Sequence, residues 1–113
     1  MKVAIVGSRS IDEKYYDNLY KTVPQGTSII ISGGAKGADM LAKAYAEENK
    51  IDYLEITPDY KKYGKSATII RNKEIVSLAD YVIVLWDGKS RGSSFVMKHC
   101  IDTLTPLKVI TCK

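Results

Sequence analysis

Short apolar runs alternate with amphipathic stretches along the whole chain. Buried parallel strands are typically short, continuous runs of apolar and β-branched residues, and five such runs predict strands. They are residues 2–6 (KVAIV), 28–32 (SIIIS), 52–56 (DYLEI), 81–86 (YVIVLW) and 107–111 (LKVIT). Between them, apolar residues recur at i, i+3, i+4 and i+7 or at four-residue steps, which predicts four helices. These helices cover residues 12–23, 38–46, 67–78 and 96–104, and the polar segment 59–66 is predicted to be a loop.

The alternation of five strands and four helices predicts an α/β fold with a parallel sheet covered on both faces. Right-handed crossovers and the usual doubly wound connection give the strand order 3-2-1-4-5. A chain of 113 residues is expected to form a single domain, residues 1–113. Strands 1 and 4 then lie side by side, and the gap beyond their carboxyl ends is where ligands of such folds bind.

Four loops are predicted to meet at this carboxyl edge, and their composition is unusual. They are residues 7–10 (GSRS), 33–39 (GGAKGAD), 59–66 (DYKKYGKS) and 87–94 (DGKSRGSS). Glycines let backbone N–H groups converge on a ligand, and helix N-termini add a partial positive charge. The basic residues there are Arg9, Lys36, Lys61, Lys62, Lys65, Lys89 and Arg91, with Arg71 just inside the next helix. The edge therefore predicts a site for a phosphate or another anion, although glycines in residues 33–39 would also suit a simple tight turn.

Two common nucleotide motifs are absent from these loops. Residues 7–12 (GSRSID) lack the G-x-G-x-x-G spacing of dinucleotide sites. Gly88 and Gly92 are one residue too close for a Walker A loop, and Ser93 stands where that loop needs lysine. The sequence thus argues against a dinucleotide dehydrogenase and a P-loop nucleoside triphosphatase.

Several polar residues have two interpretations from sequence alone. Asp39 and Asp87 could accept hydrogen bonds from a ribose or a base, or could simply stabilise a helix start and a turn. Arg71 follows two isoleucines, so it could be a sheltered guanidinium that binds phosphate, or part of a solvated helix face with Asn72. Both alternatives remain open at this stage.

Composition adds little to this picture. The net charge of +4, from 17 basic and 13 acidic residues, is weak support for nucleic-acid binding by itself. Cys100 and Cys112 are too few for a disulfide framework and are predicted to be buried and reduced, and His99 is predicted to lie away from the loop edge. No metal-ligand spacing or serine–histidine pair is visible, so neither metal nor cofactor is expected. The apolar run near the start is too short for a signal peptide or membrane span, which predicts a cytoplasmic protein with no membrane partner.

Four motifs in order along the chain carry a family resemblance. They are GSR (7–9), SGGAKGAD (32–39), YGKSATIIRN (63–72) and ADYVIVLWDGKSRGSS (79–94). Together they resemble the YspA-like branch of the SLOG superfamily, which also includes the lonely-guy phosphoribohydrolases and the Rossmann-like domain of DNA-processing protein A. The resemblance implies a Rossmann-like three-layer α/β/α domain that binds a nucleotide or nucleotide-derived ligand, and it allows a homodimer.

The resemblance also implies roles for individual residues. The phosphate-facing candidates are Gly7, Ser8, Arg9, Gly33, Gly34, Gly37, Gly92 and Ser93, and the polar ligand contacts are Asp39, Arg71 and Asp87. Lys36, Asn72, Gly88 and Ser90 complete the predicted ligand-binding set.

Three functions follow as hypotheses. The first is a sensor or sequestering module for a phosphorylated nucleotide-like small molecule. The second is a nucleoside monophosphate N-glycosidic hydrolase, in which Arg71 matches the family arginine and Asp39 or Asp87 replaces a glutamate that is Val96 here. The third is a single-stranded DNA-binding domain, supported by Lys61, Lys62 and Lys65 and by tyrosines at 60 and 63 that could stack on bases.

Overall fold

The central sheet has five parallel strands. In this computed structural model, which describes residues 1–112, they are β1 (Lys2–Gly7), β2 (Ile29–Ser32), β3 (Asp52–Glu55), β4 (Tyr81–Trp86) and β5 (Leu107–Thr111). Their order is β3-β2-β1-β4-β5. Neighbouring strands pair in parallel, with Val3 of β1 opposite Ile30 on one side and Tyr81 on the other. The predicted strand order and fold class are confirmed.

Helices connect the strands. They are α1 (Tyr16–Thr22), α2 (Ala38–Glu48), α3 (Tyr60–Tyr63), α4 (Ala67–Leu78) and α5 (Arg91–Asp102), with 3₁₀ turns at Glu13–Tyr15 and Gly64–Ser66. The first predicted helix is divided, because Asp12 caps the 3₁₀ turn and the α-helix begins only at Tyr16.

The prediction of a loop at residues 59–66 was wrong. This segment contains α3, and its N-cap Asp59 accepts a hydrogen bond from the backbone N–H of Lys62 at 3.1 Å. A single polar helical turn offers no repeat of apolar positions, which is why periodicity did not indicate it.

The two faces of the sheet contribute to two separate apolar clusters. Successive side chains of a strand point to opposite faces, so Val3 and Ile5 pack with α1 and α2 while Ala4 and Val6 pack with α4 and α5. Fourteen buried residues form the first cluster and nine form the second, so both faces are covered. This three-layer arrangement brings the N-terminus of α2 from one side, and those of α4 and α5 from the other, over the carboxyl edge of the sheet.

The residues predicted to be structural lie in the body of the fold. Cys100 and Cys112 are both buried and free. His99 stacks on Phe95 within α5, with ring centroids 5.9 Å apart. Within residues 1–112, no helix combines the length and apolar character that a bilayer crossing requires.

Candidate functional site

A cavity of about 380 Å³ opens at the carboxyl edge, beyond the ends of β1, β2 and β4. This volume is within the range of small-molecule sites, about 300–1,000 Å³. Ten of the predicted ligand-binding residues line it: Gly7, Arg9, Gly33, Asp39, Arg71, Asn72, Asp87, Ser90, Gly92 and Ser93. Three of the four loops predicted to meet at this edge, residues 7–10, 33–39 and 87–94, contribute to the lining, whereas residues 59–66 do not.

Asp39 is the most unusual of these residues. It lies in the first turn of α2 and is only 6% exposed. Its Oδ2 atom accepts a hydrogen bond from the backbone N–H of Ala35 at 3.0 Å, whereas its buried Oδ1 atom has no hydrogen-bond partner in residues 1–112. A buried acceptor without a partner is costly, by about 1–3 kcal/mol or more when it is charged. The carboxylate therefore has one oxygen that the protein binds and one that is buried without a partner.

Burial also changes the acidity of Asp39. Removal from water disfavours the charged form and raises the pKa of the carboxyl to about 6. The hydrogen bond from Ala35, the positive charge of Arg71 and the nearby backbone N–H of Gly33 oppose this shift, while the negative charge of Glu55 adds to it. At neutral pH the group is largely ionised, yet it takes up a proton more readily than an exposed aspartate.

Arg71 faces the same cavity from α4. Its Nε donates to Oδ1 of Asn72 at 2.8 Å, and its Nη1 donates to the carbonyl oxygen of Gly33 at 3.2 Å. The two preceding residues, Ile69 and Ile70, are 46% and 36% exposed. The observed contact of the guanidinium is thus with the loop after β2, through the carbonyl oxygen of Gly33.

Gly33 lies between the two charged side chains. A Cβ atom built there would meet the guanidinium of Arg71 and would approach Oδ2 of Asp39 to 3.2 Å. In residues 1–112, no ion pair joins Arg71 and Asp39. Arg71 and Asp39 thus line one cavity without a salt bridge, and the charge of Arg71 still lowers the pKa of the aspartate.

Asp87 holds the loop after β4 in place. Its Oδ2 accepts from the Ser10 hydroxyl at 2.7 Å, and its Oδ1 accepts from the backbone N–H groups of Lys89 and Ser90 at 2.8 and 2.9 Å. These hydrogen bonds hold the pKa of the carboxyl well below its usual range, and the bond from Ser10 has the largest effect. Both oxygens are engaged within the protein, so the turn interpretation of Asp87 has direct structural support.

The N-terminus of α5 forms another wall. Ser90 caps this helix, with its Oγ accepting from the backbone N–H of Ser93 at 3.3 Å. A Cβ atom at Gly92 would have no neighbour within 4 Å, so the first turn is open on that side. Backbone N–H groups at a helix start favour anions, and the basic residues Arg9 and Arg71 line the same cavity.

Five predicted ligand-binding residues do not line the cavity: Ser8, Gly34, Lys36, Gly37 and Gly88. Ser8 is 1% exposed and joins three elements of the fold. Its Oγ accepts a hydrogen bond from the backbone N–H of Asp87 at 3.1 Å. Its carbonyl oxygen accepts one from the backbone N–H of Ala38 at 3.3 Å. It therefore connects the loop after β4 to the start of α2 from behind the cavity wall.

Two of the glycines outside the cavity serve close packing. Gly37 has φ of 75°, and a Cβ atom there would collide with the backbone carbonyl groups of Ser8 and Arg9. Gly34 has the same φ and lies against the carboxyl group of Glu55. For these two positions the structure supports the alternative of a tight turn, while ligand contact remains a prediction.

Sequence reasoning missed five residues that line the cavity: Val6, Ser10, Ala35, Thr68 and Ile75. Thr68 stands three residues before Arg71, so helical spacing alone could have placed it on the same face of α4. Val96, which the resemblance predicts to stand in place of a hydrolase glutamate, also lines the cavity and is 3% exposed in the second apolar cluster. This part of the wall is apolar.

The basic segment that contains α3 lies outside the cavity wall. Tyr60 and Tyr63 are 59% and 39% exposed, and the ammonium group of Lys62 lies 5.1 Å from the ring centroid of Tyr63. Lys61 and Lys65 are exposed as well. This segment offers aromatic and basic groups to solvent.

Comparison with known proteins identifies the family. A family model described as "YspA, cpYpsA-related SLOG family" matches residues 1–63. The chain belongs to this family. The matched range includes Asp39 and ends before Arg71.

Two similar proteins illustrate the relationships of the chain. The Gene 61 protein of Mycobacterium phage D29 is 30% identical over an alignment of 112 residues, and the match covers 88% of this chain and 85% of the phage protein. DNA processing protein A from Helicobacter pylori, in a structure that concerns its single-stranded DNA binding mode, matches with a TM-score of 0.77 and 23% identity. That match covers all of this chain but 66% of the other, and it establishes a shared fold.

Proposed function

We propose that this protein binds a nucleotide or a nucleotide-derived phosphorylated ligand in the carboxyl-edge cavity, as a sensor or sequestering module. The observation that carries the proposal is the arrangement of Asp39 and Arg71. They present opposite charges to one cavity without an ion pair, and the buried Oδ1 of Asp39 has no protein partner in the described chain. A ligand with an anionic group and a hydrogen-bond donor would complement the two charges.

The anionic group would be a phosphate at the start of α5. Gly92 leaves the backbone accessible there, and the side chains of Arg9 and Arg71 line the same cavity. Arginine presents a planar set of donors that matches phosphate oxygens, and its hydrogen bonds to them are charge-assisted. This combination favours a phosphorylated ligand over a neutral one.

The shortage of free carboxyl groups in the cavity favours binding without turnover. Val96 replaces the family glutamate with a buried apolar side chain, and both oxygens of Asp87 are engaged in its loop. Among the residues that line the cavity, Asp39 is then the carboxyl group that could transfer a proton.

That carboxyl group supports a second candidate function. A buried aspartate with a pKa of about 6 in the same cavity as an arginine could assist cleavage of the N-glycosidic bond of a nucleoside monophosphate. Release of free base, measured by chromatography and abolished in both Arg71→Ala and Asp39→Asn, would favour this hydrolase. Intact nucleotide after prolonged incubation would exclude it.

Single-stranded DNA is the third candidate ligand. The observation that favours it is the exposed segment with Tyr60, Lys61, Lys62, Tyr63 and Lys65, because stacking and basic groups are the usual elements of such binding. The fold shared with DNA processing protein A, whose single-stranded DNA binding mode is described, is compatible with this candidate. Oligonucleotide affinity that falls steeply with salt, without stabilisation by mononucleotides, would favour it over the first proposal.

The central test is a thermal-shift screen of nucleoside mono- and diphosphates, cyclic dinucleotides and ADP-ribose, followed by calorimetry on the hits. Ligand at about 100 times Kd would stabilise the fold by about 2.7 kcal/mol. We expect Arg71→Ala to abolish the shift. Lys73→Ala is the matched control, since Lys73 is exposed on the same helix and does not line the cavity. If no member of the panel stabilises the wild-type protein, the proposed function is wrong.

A further inference from the structure

Arg71 and Asp39 both lie close to Gly33. A Cβ atom built at Gly33 would meet the guanidinium and would approach Oδ2 of the carboxyl to 3.2 Å. The two side chains come from α4 and α2, and no salt bridge joins them in residues 1–112. The guanidinium keeps its donors for Asn72, the Gly33 carbonyl and a ligand, while the carboxylate is near enough to act on its charge.

Two further titratable side chains act on Asp39, and both come from β3. Glu55 adds negative charge beside the carboxyl. Tyr53, whose pKa is raised chiefly by burial, is close enough to feel the charge of Asp39. From the loop after β2, the backbone N–H of Ala35 donates to Oδ2 at 3.0 Å. Arg71 is the positive charge among the groups that act most strongly on this carboxyl, so the ionised form of Asp39 depends on it.

An anion bound by Arg71 would change the balance of charge at Asp39. It would bring a negative charge close to a buried carboxyl and would offset the positive charge that favours ionisation there. Both effects favour the neutral carboxyl, so the complex would hold a proton that the free protein has released. Resting on the proposed function, we propose that Asp39 makes anion binding in this cavity depend on pH, with the affinity rising as the carboxyl is protonated.

The range of pH follows from the acidity of the free protein. The pKa of Asp39 is about 6, so the carboxyl is mostly charged at pH 8 and mostly neutral at pH 5. Because a bound anion raises this pKa further, the complex holds more protons than the free protein just above pH 6, and affinity falls as pH rises through that range. Repulsion between like charges a few ångströms apart corresponds to about a tenfold change in affinity. Binding is therefore expected to be about tenfold tighter at pH 5 than at pH 8.

The test uses inorganic sulfate, which keeps its charge over this range, and the wild-type protein between pH 5 and pH 8. Sulfate replaces chloride at constant ionic strength, because salt screens the charges of the site. Backbone amide shifts at Gly33 and Gly92, followed by nuclear magnetic resonance, give the affinity at each pH. The carbon shift of the Asp39 carboxyl gives its pKa with and without sulfate. We expect the tenfold change in affinity together with a higher pKa in sulfate, since linkage requires both.

The outcomes separate this proposal from the proposed function. Equal affinity for sulfate at pH 5 and pH 8 would overturn the pH dependence and leave anion binding intact. An Asp39 carboxyl whose pKa does not change in sulfate would overturn the role of this residue. Absence of sulfate binding at every pH would overturn both proposals.

The variant Asp39→Asn removes the charge and keeps an oxygen for the Ala35 N–H. At pH 8 it should bind sulfate about as tightly as the wild-type protein does at pH 5, with little change as pH falls. Glu47→Gln, exposed on the same helix, and His99→Gln, which replaces the single histidine of the chain, are the controls and should keep the wild-type profile. A profile that persists in Asp39→Asn, or disappears in His99→Gln, would assign the pH dependence to another group.

Discussion

Arg71 donates a hydrogen bond from Nε to Oδ1 of its sequence neighbour Asn72, at 2.8 Å. Asn72 is 8% exposed, so this acceptor is itself held in the core of the protein. A second bond from Nη1 to the Gly33 carbonyl fixes the other end of the guanidinium. The group is therefore oriented before any ligand arrives, which lowers the entropy cost of binding.

Asn72→Ala is expected to weaken ligand binding by about tenfold, because it removes a hydrogen bond to a charged group and releases the guanidinium. Arg71 itself remains, so binding should be reduced but not lost. Calorimetry with a hit from the nucleotide screen measures the effect. Lys73→Ala provides the control, and an affinity equal to wild type in Asn72→Ala would show that the hydrogen bond does not position Arg71.

Gly33→Ala should abolish binding while the fold remains. The added methyl group would occupy the place of the Arg71 guanidinium, which is the far end of a flexible side chain and can move away at little cost. Thermal unfolding should therefore change little, whereas affinity measured by calorimetry should fall at least as much as in Arg71→Ala. Wild-type affinity in this variant would contradict the assigned position of the arginine.

Gly37→Ala supplies the contrast to that substitution. Gly37 has φ of 75° and its added Cβ would meet backbone oxygens, so relief requires movement of the chain itself. We expect a loss of about 1–3 kcal/mol in the free energy of unfolding, measured by denaturant titration. Together the two glycine variants separate a residue that shapes the site from one that shapes the fold.

The stability of the protein should depend on the protonation of Asp39. Its pKa of about 6 in the folded state exceeds the value of about 3.9 in an unfolded chain. Between these values the folded state binds more protons, so the free energy of unfolding falls as pH rises from about 4 to about 6. The loss is on the order of 2–3 kcal/mol and persists at higher pH. The charged groups that face the carboxyl are Arg71 and Glu55. Burial raises the pKa of the nearby Tyr53, so this residue stays neutral in this range.

Denaturant titration of wild type and Asp39→Asn from pH 4 to 8 measures this dependence. The variant should be the more stable protein at pH 7, and the difference between the two should shrink as pH falls towards 4. The variant Glu47→Gln should follow the wild-type profile. A constant difference across the whole range would show that Asp39 does not titrate between these values.

Asp87 should show the opposite pH dependence. Its pKa lies below the unfolded value, so its contribution to stability is present above that value and is lost as pH falls through the folded one. Asp87→Ala is expected to lower the melting temperature at pH 7 and to speed amide exchange at Lys89 and Ser90, whose N–H groups it binds. Asp17→Ala, at an exposed position on α1, is the control. Unchanged exchange at both amides would rule out the loop role.

The strand order could be derived from the sequence because parallel strands give strong apolar runs and connection rules leave few topologies. The helix α3 could not be derived, since a single polar turn shows no repeat of apolar positions. The glycines were harder to interpret: Gly33 beside the cavity and Gly37 behind it belong to the same motif, and only their three-dimensional neighbours distinguish them. The free oxygen of Asp39 had no sequence signal at all, because a missing partner is a property of the surroundings.

The pairing of β1 with β4 has a kinetic consequence. Val3 lies opposite Tyr81, so most of the chain must be closed into a loop before these strands can meet, and such long-range contacts make folding slow. The cavity takes its walls from residues that range from Val6 to Val96, so it is complete only after this step. A bound ligand should therefore lower the unfolding rate and leave the refolding rate unchanged.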